Sequence, residues 1–241
     1  MNTNLYIGTS GWTYDHWKGL FYPSDLPKSR WFDFYKTQYN TVEINATFYR
    51  FFQEKTYLKW KEQVDESFRY VLKIPRLITH RKRLINVQND LKEFYSSACL
   101  LENNLGLLLL QLPPYEHKNF YKLETSVSQL SFKNQLAIEF RHMSWYDKEV
   151  VDWCEKNNII FCNVESEKIN LTNYLTNETG YFRLHGKKGG YRYNYSEEEL
   201  GYLARQIQKM QDSGAKSIYV FFNNDYDGYA PRNAISLKNI F

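Results

Sequence analysis

The strongest constraint on this chain is a recurrence. Eight short runs rich in Val, Ile, Leu, Tyr or Phe fall at residues 5–8, 41–45, 70–74, 105–111, 135–140, 159–164, 180–184 and 217–222. Several are apolar at both even and odd positions, which is how a strand buried on both faces reads. Segments long enough for a helix separate them. Spread over 241 residues, eight repeats give roughly 30 residues per unit, the size of a strand, a helix and their loops. The pattern predicts an α/β fold, a single (β/α)8 TIM-type barrel of eight parallel strands with outer helices. A doubly wound open sheet uses fewer strands. No linker, charge block or composition break divides residues 1–241, so one domain is expected.

The gaps carry helix signals. Stretches 31–39, 56–64 and 121–130 are amphipathic, and Leu91, Phe94, Tyr95 and Ala98 are spaced for one helical face. Asp147 opens a helix that Asn157-Asn158 closes. Ser196, followed by Glu197, Glu198 and Glu199, reads as an N-cap with acids in the first turn, and Ser213-Gly214 reads as the stop. Helices over 169–175 and 233–240 fill the remaining gaps.

Composition narrows the classes. At 43% hydrophobic and 24% charged, the chain has the make-up of a globular protein rather than a disordered, collagen-like or coiled-coil one. A net charge of +4 is too small for a protein that coats nucleic acid. Cys99, Cys154 and Cys162 form no CxxC pair, which speaks against a disulfide framework or zinc cage and for a reducing compartment. The start MNTNLYIGTSGW has no basic segment followed by an apolar one, and the run 105–112 is too short to span a bilayer. A cytoplasmic protein with no membrane partner is expected.

In such a barrel, charges at strand C-termini point into the mouth, because neither apolar layer can hold an unpaired one. Strand two brings Glu43 and Asn45 there, strand three Lys73 with Arg76 just beyond, and strand four Gln111. Strand five brings Glu139 and Arg141, strand six Asn163 and Glu165, strand seven Arg183 and His185, and strand eight Asn223. Glu43/Asn45, Glu139/Arg141 and Arg183/His185 are each two residues apart, hence on one face of their strand. These groups either neutralise one another as a polar plug or do chemistry. The C-terminal face is where barrel enzymes keep their active sites, which favours chemistry.

Arg and Lys in numbers suit a phosphate or carboxylate, and carboxylates with a histidine can move protons. Metal ligation by Glu43, Glu139, Glu165 and His185 is opposed by the cations among them, and no HxH or HExxH spacing occurs. No metal site is therefore expected, although a divalent ion stays open, and no cofactor signature is evident. Gly186-x-x-Gly189-Gly190 reads as a tight turn, and His80 and His142 stand near the mouth as second-rank candidates. Aromatics make up 18% of the chain, more than a core needs. Most should pack the loops, while Trp12 and Tyr14 are candidates to face a ligand.

Seven segments, IGTSGWTYDHWKGLFYP, VEINATFYR, LKIPRLITHRKRL, LLLQLPP, AIEFRHMSW, YFRLHG and YVFFNND, run from one end of the chain to the other. Together they resemble the family named domain of unknown function 72, or YecE-like. That resemblance implies a TIM barrel and supplies no reaction. Ala46 stands where the family resemblance leads one to expect Ser.

The expectation is an enzyme of hydrolase, isomerase or lyase type acting on a small anionic, phosphorylated, carboxylated or sugar-like substrate. Glu43, Glu139 and His185 would be catalytic. Asn45, Lys73, Arg76, Gln111, Arg141, Arg183, Asn223, Trp12 and Tyr14 would bind. One alternative is a nucleic-acid-binding or processing protein, suggested by His80-Arg81-Lys82-Arg83 and nearby aromatics. Another is a non-catalytic metabolite-binding protein.

Overall fold

Residues Leu105–Gln111 (LGLLLLQ) form a strand buried at every position, as expected of a strand covered on both faces. The computed structural model describes residues 3–128 and 130–241. Met1, Asn2 and Gln129, the last within the helix expected over 121–130, lie outside the described residues. In chain order the elements are β1 (Asn4–Thr9), α1 (Trp31–Gln38), β2 (Thr41–Ile44), α2 (Ala46–Tyr49), α3 (Glu54–Glu62) and β3 (Arg69–Lys73). Then come α4 (Gln88–Ala98), β4 (Leu105–Gln111), α5 (Phe120–Val127), β5 (Leu136–Glu139), α6 (Lys148–Lys156) and β6 (Ile160–Glu165). The last are β7 (Thr179–Leu184), α7 (Glu197–Asp212), β8 (Ser217–Phe222) and α8 (Tyr229–Lys238).

All eight expected strands are present, in one sheet of order β1-β8-β7-β6-β5-β4-β3-β2. That sequential parallel winding is the (β/α)8 order. β1 and β2, the two ends of the order, are linked by a parallel bridge between Ser10 and Glu43.

The chain forms two compact units, Met1–Glu43 with Cys162–Phe241, and Ile44–Phe161. In the first, β1 and β7 flank β8 in parallel register, pairing Tyr6 with Tyr219 and Tyr181 with Tyr219. α7 buries Leu200, Leu203 and Ile207, and α8 buries Ala230, Ala234 and Leu237. Ser196 caps α7 as its sequence implies. Its side chain accepts from the Glu199 N–H at 3.3 Å while Glu199 Oε2 accepts from the Ser196 N–H at 2.9 Å. In the second unit β3, β4 and β5 pair in parallel, and α4 buries Leu91, Phe94 and Ala98. Asp147 caps α6 through the Val150 N–H at 3.1 Å.

One expected helix is absent. Residues 169–175 are irregular because the buried Asn163 on β6 takes the backbone groups a helix would use. Its Oδ1 accepts from Tyr174 N–H at 2.7 Å and from Thr172 Oγ1 at 2.8 Å, and its Nδ2 donates to Tyr174 O at 2.9 Å. Asn163 is therefore an anchor for this connection rather than part of a mouth.

Candidate functional site

The expected site residues fall into two groups, one in each unit. In the unit of Met1–Glu43 and Cys162–Phe241, Tyr181, Arg183 and His185 follow at two-residue steps on and just past β7, so they share a face. Arg183 Nε donates to the two Glu43 oxygens at 2.9 and 3.1 Å, and its Nη2 donates to Oε1 at 2.7 Å. Tyr181 adds a 2.6 Å bond from its hydroxyl to Oε2. This is the planar fork that fits a carboxylate. Glu43 is 0% and Arg183 1% exposed, so each charge is tolerated only because the other is there. Burial first, and then Glu43, push the Tyr181 hydroxyl well above the usual phenol range, which keeps it a donor.

The chain of bonds continues to His185. Arg183 Nη1 lies 3.1 Å from His185 Nε2. A guanidinium can only donate, so Nε2 accepts and a neutral ring carries its proton on Nδ1. The Asn223 amide stands 3.0 Å from Nδ1. As placed, the amide nitrogen lies there, and two N–H donors cannot bond each other; a half-turn that exchanges the amide's nitrogen and oxygen would let the oxygen accept that proton. Gly186 follows at φ +86°, where an added Cβ would sit 2.1 Å from the Gly190 carbonyl oxygen, so the turn requires glycine.

Tyr14 donates to the Ser10 carbonyl at 2.6 Å. Its hydroxyl is raised by burial, then by Asp225 and Glu43, and Arg183 opposes the rise. Trp12 packs its ring 5.0 Å from Phe32 and accepts at its carbonyl from the Tyr22 hydroxyl.

The second group, within Ile44–Phe161, centres on Glu139 and His80. Glu139 is fully buried and accepts from Gln111 Nε2 at 2.9 Å and from Arg141 Nη1 at 3.1 Å. Arg141 keeps its side chain 29% exposed, so one part of the guanidinium is held by Glu139 while another meets solvent. Lys73 lies at the end of β3 with Nζ 4.2 Å from the Phe48 ring centroid. Asn45 stands at the N-terminal boundary of α2, where its carbonyl accepts from the Phe48 N–H. Arg76 lies over the exposed Tyr49 ring at 5.7 Å.

His80 sits on a π-helical turn, Leu77–Arg81, a rare local geometry that aims one side chain away from the regular helical path. Its Nδ1 is 2.8 Å from Thr79 Oγ1 and its ring meets Phe48 edge-on at 5.0 Å. Burial first, and then Lys73, Arg141 and Arg76, pull the imidazole below its ordinary 6.5. Three cations thus bear on one neutral histidine.

His142, by contrast, serves local structure. Its Nδ1 lies 2.9 Å from Ser144 Oγ and accepts from the Ser144 N–H, capping a short turn. The basic run is also largely spent, since Lys82 pairs with Asp90 at 2.7 Å and Arg83 with Glu116 at 2.8 Å. Among the described residues no three His, Cys, Asp or Glu side chains converge as a metal site, and no helix is long and apolar enough to cross a membrane.

The alternation of sheet and helix, the glycine turn after β7 and the polar strand ends agree with a family whose description is "Protein of unknown function DUF72", which matches residues 6–241. The chain belongs to the DUF72 family. This DUF72 protein is 25% identical to the UPF0759 protein YunF of Bacillus subtilis (strain 168), over 95% of this chain and 92% of that one. It is 27% identical to the UPF0759 protein YecE of Escherichia coli (strain K12), over 60% of this chain and 51% of that protein, about half its length. A crystal structure of a DUF72 family protein from Thermotoga maritima MSB8 superposes with a TM-score of 0.87 at 29% identity, covering 98% of both chains. Another from Enterococcus faecalis V583 gives 0.80 at 21% identity, covering 98% of this chain and 94% of that one, a likeness of fold.

Proposed function

We propose that this DUF72 protein is an enzyme that works by acid–base chemistry on a small anionic substrate. The observation that carries the reading is that Lys73 and His80 pack against one ring, Phe48, at 4.2 and 5.0 Å, with the charges of Lys73, Arg141 and Arg76 lowering the imidazole after burial. Cations gathered around a histidine held neutral make a place where a phosphate or carboxylate lowers the electrostatic energy of the whole group. His80 then moves the proton, because an arriving anion offsets the cations that disfavour its charged form. Glu139, bonded to Gln111 and Arg141, is the carboxylate of this group. In the other unit His185 is the proton-bearing side chain, and Arg183 serves it by holding Nε2 and Glu43 together.

The test uses sulfate, which carries no titrating proton near neutrality, followed by calorimetry. Arg76→Met removes an exposed cation, and Lys73→Met removes the Phe48-facing one. Each is expected to weaken sulfate binding about tenfold, one close ion pair at partly screened distance. Binding should couple to proton uptake by His80, so affinity rises as pH falls toward the lowered range in which the free protein's imidazole takes its proton, and His80→Gln should flatten that slope. Turnover is assayed separately, as depletion of anionic metabolites from a cell extract by mass spectrometry. The wild type is expected to deplete at least one and His80→Gln none. Sulfate binding that ignores all three substitutions overturns the anion site. Binding without depletion leaves an anion receptor in place of an enzyme.

A further inference from the structure

A second feature of the unit Ile44–Phe161 lies apart from the His80 group in its chemistry. Where α2 gives way to α3, Arg50, Phe51, Phe52, Lys55, Lys59 and Trp60 line an open groove of about 800 Å³. No acidic side chain lines it. Lys55 and Lys59 are one helical turn apart on α3, so both ammonium groups stand on the same face. Among the described residues neither lysine nor Arg50 has an ion-pair partner, whereas Lys61 on the same helix is engaged by Glu102 at 2.7 Å.

The apolar wall is aromatic and partly open. Phe51 is 37% exposed, and Phe52 meets Trp60 at 5.4 Å with Arg50 over its ring at 4.4 Å. Gln53 supplies no side-chain cap to α3, so the first-turn N–H groups add partial positive charge beside the lysines. Unpaired cations in series beside an exposed ring are what a single-stranded nucleic acid needs: phosphates track the charges while a base stacks on the ring. A duplex hides its base faces and would leave Phe51 unused.

We propose that this groove binds single-stranded nucleic acid without sequence preference, a function independent of the His80 site. The basic run 80–83, which first suggested nucleic acid, does not form it. Its Lys82 and Arg83 are ion-paired. Positive charge left over after such pairing is the better signal.

The experiment is fluorescence anisotropy of a labelled oligothymidylate of ~10 nucleotides, a length within single-strand site sizes, titrated across salt. Three phosphate contacts give a slope of log affinity against log salt of about −2, so affinity falls roughly 20-fold between 50 and 200 mM salt. Lys55→Glu/Lys59→Glu should reduce the slope to about −0.7, the single remaining contact of Arg50. Phe51→Ala should weaken binding about fivefold or more with the slope unchanged, since stacking releases no counterions. Lys55 and Lys59 are on the surface, where such changes leave stability within about 0.5 kcal/mol. Phe51 also meets Phe94 edge-on at 6.1 Å, so circular dichroism and a melting curve of Phe51→Ala check that its fold is retained. The proposal is overturned by absence of binding at 50 mM salt, by duplex binding as tight as single strand, or by thymidine monophosphate competing as well as the oligomer. Loss of oligomer binding in Arg141→Met with no loss in the lysine variant would place the strand elsewhere and overturn it too.

Discussion

Arg183→Met is expected to lower the unfolding free energy by about 3–5 kcal/mol, because it strands a buried Glu43 carboxylate. Glu43 is 0% exposed, and three of its hydrogen bonds come from Arg183. The guanidinium fork is lost outright, and a neutral donor such as the Tyr181 hydroxyl does not offset the desolvation of a full charge. A domain of this kind is stable by about 5–15 kcal/mol in total, so the loss is a large part of it. Adding Glu43→Gln in the same chain should return most of the loss, since an amide in that position carries no charge to strand. Urea unfolding of wild type, Arg183→Met and the double variant measures both steps. A single-variant loss under about 1 kcal/mol is the value for a solvated surface pair, and it would refute the buried-pair description.

Trp17→Ala should cost a similar amount, about 3–5 kcal/mol, by a different mechanism. Trp17 is 0% exposed in the long loop after β1, with its ring centroid 4.7 Å from Tyr14 and 5.7 Å from Phe21. Its indole N–H donates to the Asp225 carbonyl at 3.0 Å, tying that loop to the one after β8. Removing the ring opens a cavity among aromatics that cannot collapse without giving up their own bonds, such as Tyr22 to the Trp12 carbonyl. Trp17→Phe separates the terms: it keeps most of the volume and drops the donor, for a loss of about 1–2 kcal/mol. Equal losses in the two variants would mean that the hydrogen bond, not the packing, fixes the loop.

The strands and helix caps were legible because their causes are local. Ser196 and Glu199 bond each other across three residues, and β4 is apolar throughout, so a short window contains the whole physical reason. The candidate site was legible in part. Residue parity put Arg183 and His185 on one face, and they are hydrogen-bonded as neighbours. Which acid Arg183 would meet was not readable, since Glu43 is 140 residues away in the chain. Tyr181 was missed because tyrosine in a buried strand looks like packing. Its position two residues before Arg183 was the available signal. His80 ranked below the strand-end residues because the π turn that presents it has no pattern in Leu77–Arg81. The helix expected over 169–175 failed for the opposite reason, a long-range competitor for its backbone groups at Asn163.

That competitor gives the β6–β7 connection a particular mechanical character. A helix docks through area, and it loosens by degrees from its ends. Here one carboxamide fastens the strap at Thr172 and Tyr174, and Asn173 Nδ2 adds a bond to the Gln206 carbonyl at 3.2 Å, so the strap is held at points rather than along a face. Deuterium uptake at the Tyr174 amide should therefore report release of the Asn163 carboxamide. Asn163→Leu should speed it by about tenfold or more, the factor that goes with losing roughly 1.4 kcal/mol of hydrogen bonding.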